Sequence, residues 1–332
     1  NRDYTIALLR VEQARAEYGV AKADRFPAIQ ATGQLERQHF NNRELDEAYG
    51  QRYSAATAGI SDFELDFFER VKALSEASRH QYLATELGQR AARKALIAEV
   101  AHRYLLMRAA SDQKERIEAL LSFRQKQLLL AQRESKAGGL SREALQSVQA
   151  VVTQVEHRVG DARLKLSKAK NALEQETGYE VSIRLQRQQP GSKYNEQLQA
   201  PWLANLSSDQ LLKRFDVQAA EERLKAANAS IGAARAAFFP SITLSTSVGV
   251  ASEHLRDLFS NSTGIWLFVP QINIPLFDGG RNESNLEIAK ARKEISIASY
   301  EKTIQGAFRD LADGLSARKS LLQRIRSQFI LN

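Results

Sequence analysis

From Ile29 the chain alternates: Ile29, Ala31, Gly33 and Leu35 fall on one face, and Gln30, Thr32, Gln34 and Glu36 on the other. Period two marks a half-buried strand. A polar stretch, residues 37–50, separates it from a second, less regular strand running from Arg52 to about Leu65. The two predict a hairpin over about 28–65 with a hydrophilic loop. A second hairpin, about 241–275, follows the same plan. Ile242, Leu244, Val248 and Val250 oppose Ser241, Thr243, Ser245 and Ser247, and Trp266, Phe268, Ile272 and Ile274 face away from Gln271 and Asn273.

Between the hairpins the pattern is helical. From Arg70 to about Ser135 there is no proline and only one glycine, Gly88, which predicts on the order of 100 Å of helix at about 1.5 Å per residue. Gly138 or Gly139 then supplies a C-cap and Ser141 an N-cap, so the chain turns and returns as a helix to about Gly178. A further helix is predicted from about Ser208 to Ala237, and another from Arg281. Laid end to end, the two shorter helices match the long one. The expected form is a rod of paired helices with an irregular belt at 179–207.

The alternation repeats because the sequence does. Asp3–Ile29 aligns without a gap on Asp216–Ile242, with identities that include Ala7/Ala220, Arg10/Arg223, Ala14/Ala227, Gly19/Gly232, Phe26/Phe239 and Pro27/Pro240. Each copy is an Ala-rich helix that stops at Phe-Pro and enters a strand. The expected division is a first repeat at 1–178 (helical hairpin 70–178), a linker at 179–207, and a second repeat at 208–332.

Composition narrows this only a little. Six prolines and seventeen glycines in 332 residues fit a mostly helical chain. With no cysteine, disulfides, thiolate metal sites and cysteine nucleophiles are excluded. The net charge of +8 is spread as Lys and Arg interleaved with Glu and Asp, which reads as solvated helix faces and not as a nucleic-acid surface. His39, His80, His102, His157 and His254 stand singly, without metal-ligand spacing. Asp278-Gly279-Gly280 lacks the lysine of a phosphate loop. Neither a cofactor nor a reaction is suggested.

No apolar run reaches the length of a membrane helix, which leaves a barrel open. Strands of about 10 to 13 residues with one apolar face suit a bilayer, and a soluble sheet packed on helices would alternate in the same way. Two observations favour the membrane: the alternation recurs in both copies, and both sets of strands emerge from helices too long to fold back over them. Four strands cannot close a barrel, because the smallest use about eight. An open edge in lipid would leave backbone groups unsatisfied, so several chains must pool their strands.

At this point four segments carry a resemblance: Gly232-Ala-Ala-Arg-Ala-Ala-Phe-Phe-Pro-Ser-Ile-Thr-Leu244, Ile274-Pro-Leu-Phe-Asp-Gly-Gly-Arg281, Ser299-Tyr-Glu-Lys-Thr-Ile-Gln305 and Phe63-Glu-Leu-Asp-Phe-Phe-Glu-Arg70. They resemble the TolC-like outer-membrane efflux ducts, especially the multidrug-efflux branch. The resemblance implies a mostly α chain with a β-barrel portion. It implies a homotrimer with a 12-stranded outer-membrane barrel continuous with a periplasmic α-helical barrel, in a Gram-negative cell. The implied partners are a periplasmic membrane-fusion adaptor, an inner-membrane pump and outer-membrane lipid. The implied function is a passive exit duct for small toxic compounds. A type I protein-secretion duct shares the architecture. A soluble coiled-coil scaffold is the alternative from another class, and it would show sustained a/d heptads without alternating strands.

Three sets of residues follow. The tip Lys136, Ala137, Gly138, Gly139, Leu140, Ser141 and Arg142 reads alone as an ordinary helical turn, and with the resemblance as the adaptor-docking surface. Phe26, Pro27, Phe239, Pro240, Phe277, Asp278, Gly279 and Gly280 mark the strand–helix junctions. Trp266 and Phe268 read equally as an aromatic belt or as sheet packing. The loops at 39–50 and 253–264 are the expected extracellular rim. Two departures stand out: the branch usually has Gly where Glu69 stands, and a Leu-Asp pair where Glu143 and Ala144 stand. After its hairpin the first copy runs from Arg70 to Gly178, whereas the second runs only from Arg281 to Asn332 and lacks the return helix. The chain therefore reads as an internal piece of a longer protein, with a second glycine-containing tip a short way beyond Asn332.

Overall fold

The computed structural model describes residues 1–49, 51–180, 209–260 and 262–330. In chain order the elements are α1 (Arg2–Ala23), β1 (Ile29–Arg37), α2 (Arg43–Tyr49), β2 (Arg52–Glu64), α3 (Arg70–Lys136), α4 (Arg142–Thr177), α5 (Asp209–Leu212), α6 (Phe215–Ala236), β3 (Ser241–Ser252), β4 (Gly264–Asn273) and α7 (Arg281–Ile330). The described residues are mostly helical with one sheet. Among the described residues no helix is long and apolar enough to cross a membrane.

The Ala-rich copies end in the same way. In α1 Asp24 N–H donates to Val20, Arg25 to Lys22 and Phe26 to Ala23; in α6 Ala237 donates to Ala233, Phe238 to Arg235 and Phe239 to Ala236. Donors and acceptors alike are related by the offset that aligns Asp3 with Asp216, so the sequence repeat is also a repeat of backbone hydrogen bonds. Each helix tightens from i−4 to i−3 bonding over its last turn, and the proline then forbids continuation.

Two compact units emerge, one of Asn1–Leu9 and Gln89–Asn205, the other of Arg10–Gly88 and Leu206–Asn332. Packing thus divides the chain inside α3, whereas the repeats divide it near 178–208. In the first unit, Ile117 of α3 packs with Val155, Val159 and Ala162 of α4, flanked by Leu120 and Leu121. The buried positions Val152, Val155, Val159, Ala162 and Leu173 keep heptad spacing, as do Met107, Ala110, Ile117 and Ala131. The helical hairpin is therefore a short antiparallel coiled coil. The heptads expected of a scaffold are present, but in a chain that also carries a four-stranded sheet. Asn1 Nδ2 donates to the Glu176 carbonyl (3.0 Å), tying the start of α1 to the end of α4.

In the second unit α6 packs along α7 and buries Val217, Ala219, Ala220, Ala226, Ile231, Ala233 and Ala236. Small side chains permit this close approach. A Cβ added at Gly232 would lie 3.5 Å from the Ala73 Cβ, so α6 also lies against α3.

Two expectations are corrected. The helix predicted from Ser208 to Ala237 is broken between Leu212 and Phe215. There Arg214 takes an extended backbone (φ −65°, ψ 139°), and its guanidinium donates to Asp216 (2.7 Å) and to Asp310 of α7 (3.2 Å). The polar loop after β1 contains α2, started by the Asn42 side chain accepting from Glu44 N–H (2.9 Å). The expected belt at 179–207 lies, beyond Glu180, outside the described residues.

Candidate channel-forming surfaces

The sheet runs β1-β2-β3-β4, antiparallel throughout. The two hairpins join through β2 and β3, leaving β1 and β4 as free edges among the described residues. Register fixes the faces: Ile29 pairs with Ile60 and Leu35 with Ser54, Ala58 with Val248, and Val248 with Trp266. One apolar face thus crosses all four strands. It carries Ile29, Ala31 and Leu35, then Ala56, Ala58 and Ile60, then Ile242, Leu244 and Val248, then Trp266, Phe268 and Ile272. The reverse carries Gln30, Thr32, Gln34, Thr57, Thr243, Ser247, Gln271 and Asn273, with Ile265, Leu267 and Val269 of β4 as its apolar members. Ile29 is 78% exposed and Trp266 79%. A monomer does not leave such a surface bare to water.

The irregularity of the second strand has a cause. Register shifts between Ile60, opposite Thr246, and Phe63, opposite Leu244, so Ser61 and Asp62 together face Ser245. This is a bulge. Asp62 adopts φ 51°, and its N–H donates to Ser245 Oγ (3.0 Å). The extra residue returns Phe63 to the apolar face.

At two positions β2 and β3 approach too closely for side chains. A Cβ on Gly59 would lie 2.6 Å from the Ser247 Cα, and one on Gly249 2.7 Å from the Thr57 Cα. Both glycines lie on the polar face.

Of the junction residues, Phe239 and Pro240 line a cavity beside the start of α3. Phe68 stacks on Phe239 (centroids 4.9 Å apart, interplanar 13°), and the cavity, of about 330 Å³, is also lined by Asp66, Phe67, Asn273, Pro275 and Asn282, among others. Asn282 Nδ2 donates to the Ala237 carbonyl (3.1 Å), joining the start of α7 to the end of α6. Asp66 caps α3, accepting from Val71 N–H (3.0 Å) and Lys72 N–H (2.7 Å). Asp278 accepts from Gly280 (3.0 Å) and Asn282 (2.9 Å), and the Asn282 bond above all holds its carboxyl below the usual range. Gly279 and Gly280 take φ 64° and 84°. Glu69 takes φ 59°, a left-handed backbone that favours glycine, and its carboxylate pairs with Lys72 (2.7 Å). Phe26 and Pro27 do not line this cavity, and Phe277 is 92% exposed.

At the tip, Gly139 N–H donates to the Glu134 carbonyl (2.9 Å) and Gly138 N–H to Ser135 (3.1 Å), with Gly138 at φ 77°. This is a Schellman end to α3. Ser141 Oγ accepts from Ala144 N–H (3.2 Å). The Glu143 carboxyl is held low by its own backbone N–H and by the Ser141 hydroxyl. A capping acid at 143 thus stands in for one at 144.

The histidine pairs were not legible in sequence. His80 of α3 meets Glu222 of α6 at 2.6 Å. Burial raises the Glu222 carboxyl, but hydrogen bonds from Lys225 and His80 outweigh it and hold the group low. His39 meets Asp46 at 2.9 Å in the loop. One partner belongs to the other repeat and the other lies across a loop, so no local spacing announced them. No group of three or more potential metal ligands occurs among the described residues.

Residues 1–179 and 206–328 match the model of the family described as outer membrane efflux protein. The cation efflux system protein CusC of Escherichia coli K12 is 39% identical over 328 residues, covering 99% of this chain and 70% of CusC. The toluene efflux pump outer membrane protein TtgC of Pseudomonas putida is 38% identical over 335 residues, with 99% and 68% coverage. A solved structure of CusC, described for its transmembrane channel formation, superposes with a TM-score of 0.89 at 37% identity, covering 100% of this chain and 76% of that one.

Proposed function

Because the chain belongs to the outer membrane efflux protein family, and is thereby an outer-membrane efflux channel extending into the periplasm, we propose that it works as a homotrimer in which three four-stranded sheets close one 12-stranded barrel. The observation that carries this reading is the free edge of β1 at one side of the sheet and of β4 at the other, joined by one continuous apolar face. In hydrocarbon, each unpaired backbone group costs several kcal/mol, so the edges need partners. Three copies supply them. The apolar face meets lipid and the polar face lines water.

The remaining residues take roles by position. Trp266, near the loop end of β4, and Phe268 form part of an aromatic belt at the headgroup level. Phe26-Pro27, Phe239-Pro240 and Phe277–Gly280 are corners where membrane strands meet periplasmic helices. The tip Lys136–Arg142 offers exposed backbone at a glycine turn to the helical hairpin of a periplasmic adaptor. Through that adaptor an inner-membrane pump supplies the energy, and transport through the duct is passive. The cargo is small toxic compounds of the kinds named for the relatives, cations and toluene, and the pump does the selecting.

Conductance in a planar bilayer tests the channel reading. The purified oligomer should give discrete, stable current steps once inserted. Insertion without current at any voltage would overturn it.

A further inference from the structure

At the loop end of the first hairpin, Arg37 and Arg52 are register partners. Arg37 continues the series Ile29, Ala31, Gly33, Leu35, and Arg52 precedes Ser54, Ala56 and Ala58, so both lie on the apolar face. Like charges directly opposite on neighbouring strands are destabilising. A solitary arginine at a barrel rim reaches up to water and needs no further account, but a facing pair is what such a rim would avoid. Neither side chain has a hydrogen bond or ion pair among the described residues. The carboxylates nearby are otherwise disposed. Asp46 accepts from Phe40 N–H (2.8 Å) and meets His39; the Phe40 bond above all holds its carboxyl low, and Arg52 adds the smallest of the attractions. Glu36 lies on the opposite face, where it accepts from Gln34 Nε2 (3.3 Å). Arg37, Arg52 and Glu253 line a second cavity, of about 1030 Å³, in which Glu253 pairs with neither arginine. Arg256 also lines the cavity but is paired with Asp257 (3.3 Å).

We propose that Arg37 and Arg52 form a site for a phosphate group carried by a lipid of the outer leaflet. Two planar forks on one side of a strand pair can each donate two N–H groups to phosphate oxygens. A phosphate monoester, with about −1.5 to −2 charges, turns their mutual repulsion into shared attraction. Leu35 and Ala56 next along the same face provide apolar contact for an acyl chain, which a free phosphate would not use. The site rests on the barrel reading above, since only in a membrane does this face meet lipid headgroups.

The test uses the purified oligomer in nanodiscs of phosphatidylcholine, with and without lipid A, and measures bound lipid A by native mass spectrometry. The double variant Arg37→Gln/Arg52→Gln should bind lipid A about tenfold less, the scale of a lost charge-assisted hydrogen bond, while its conductance is unchanged. Arg37→Lys/Arg52→Lys, which keeps charge but loses the fork, should fall between and remains informative if the glutamine variant fails to assemble. Arg43→Gln, at the same rim but paired with Glu47 (3.0 Å), should bind like the parent. Undiminished binding by both double variants would overturn the site, and so would equal binding of dephosphorylated lipid A by the parent. Competition by inorganic phosphate at equal concentration would overturn the lipid as the source. A parent that forms no pore would instead fail the barrel reading.

Discussion

Gly249→Ala is expected to abolish most trimer assembly, and Gly249→Val all of it. A Cβ at this position would meet the Ala56 carbonyl group and the Thr57 Cα of β2. These are backbone atoms of a hydrogen-bonded neighbour, with no rotamer to change, so the strands themselves would have to separate. Overpacking a well-packed site costs about 1–3 kcal/mol, and backbone contact at 2.7 Å belongs at or above the top of that range. A trimer bears the cost three times, against a typical stability of about 5–15 kcal/mol for a domain. Gly59→Ala should behave alike, because its Cβ would meet Ser247 of β3. Gly33→Ala is the control, with nothing within 4 Å of its added Cβ. The fraction of trimer extracted from outer membranes reads the difference. Full assembly of Gly249→Ala would mean that β2 and β3 lie further apart than described.

The second large effect separates the two faces of the sheet. Val248→Arg sets a charge on the apolar face opposite Trp266. On a lipid-facing strand this costs about 2–4 kcal/mol at the bilayer midplane and less near the interfaces, again once per chain. Gln271→Arg lies on the polar face, opposite Thr243, where the side chain stays in water. The first variant should lower the thermal dissociation midpoint of the trimer sharply; the second should leave it within a few degrees and alter conductance and ion selectivity. If the two variants destabilised equally, the sheet would not divide lipid from water.

Much of this architecture was legible because it is local. Phe26-Pro27 and Phe239-Pro240 end helices through proline sterics, Gly138 supplies the left-handed residue that a Schellman end requires, and strict alternation made β1 and β3 visible. What stayed hidden depends on distant partners. The bulge at Ser61–Asp62 is defined only by Ser245 across the sheet, and the break before Phe215 is held by Asp310, far along the chain on α7. Gly59 and Gly249 look like ordinary weak points of strands until their neighbours' backbones are in place. Glu69 falls between these cases: glycine is expected there by resemblance, and its positive φ supplies the physical reason.

Disulfide trapping between β1 and β4 tests the shared barrel most directly. The chain has no cysteine of its own, so engineered thiols report without background. Within one chain β1 and β4 are three strand spacings apart, roughly 14 Å at about 4.8 Å each, whereas a disulfide needs Cα atoms within about 7 Å. Any bond between the two edges must therefore join different chains. With Thr32→Cys on β1 and a cysteine moved singly along Ile265–Val269 on β4, oxidation should produce covalent dimers and trimers at one register and nothing larger. Monomers at every position, or a ladder extending past three, would contradict a barrel closed by three chains.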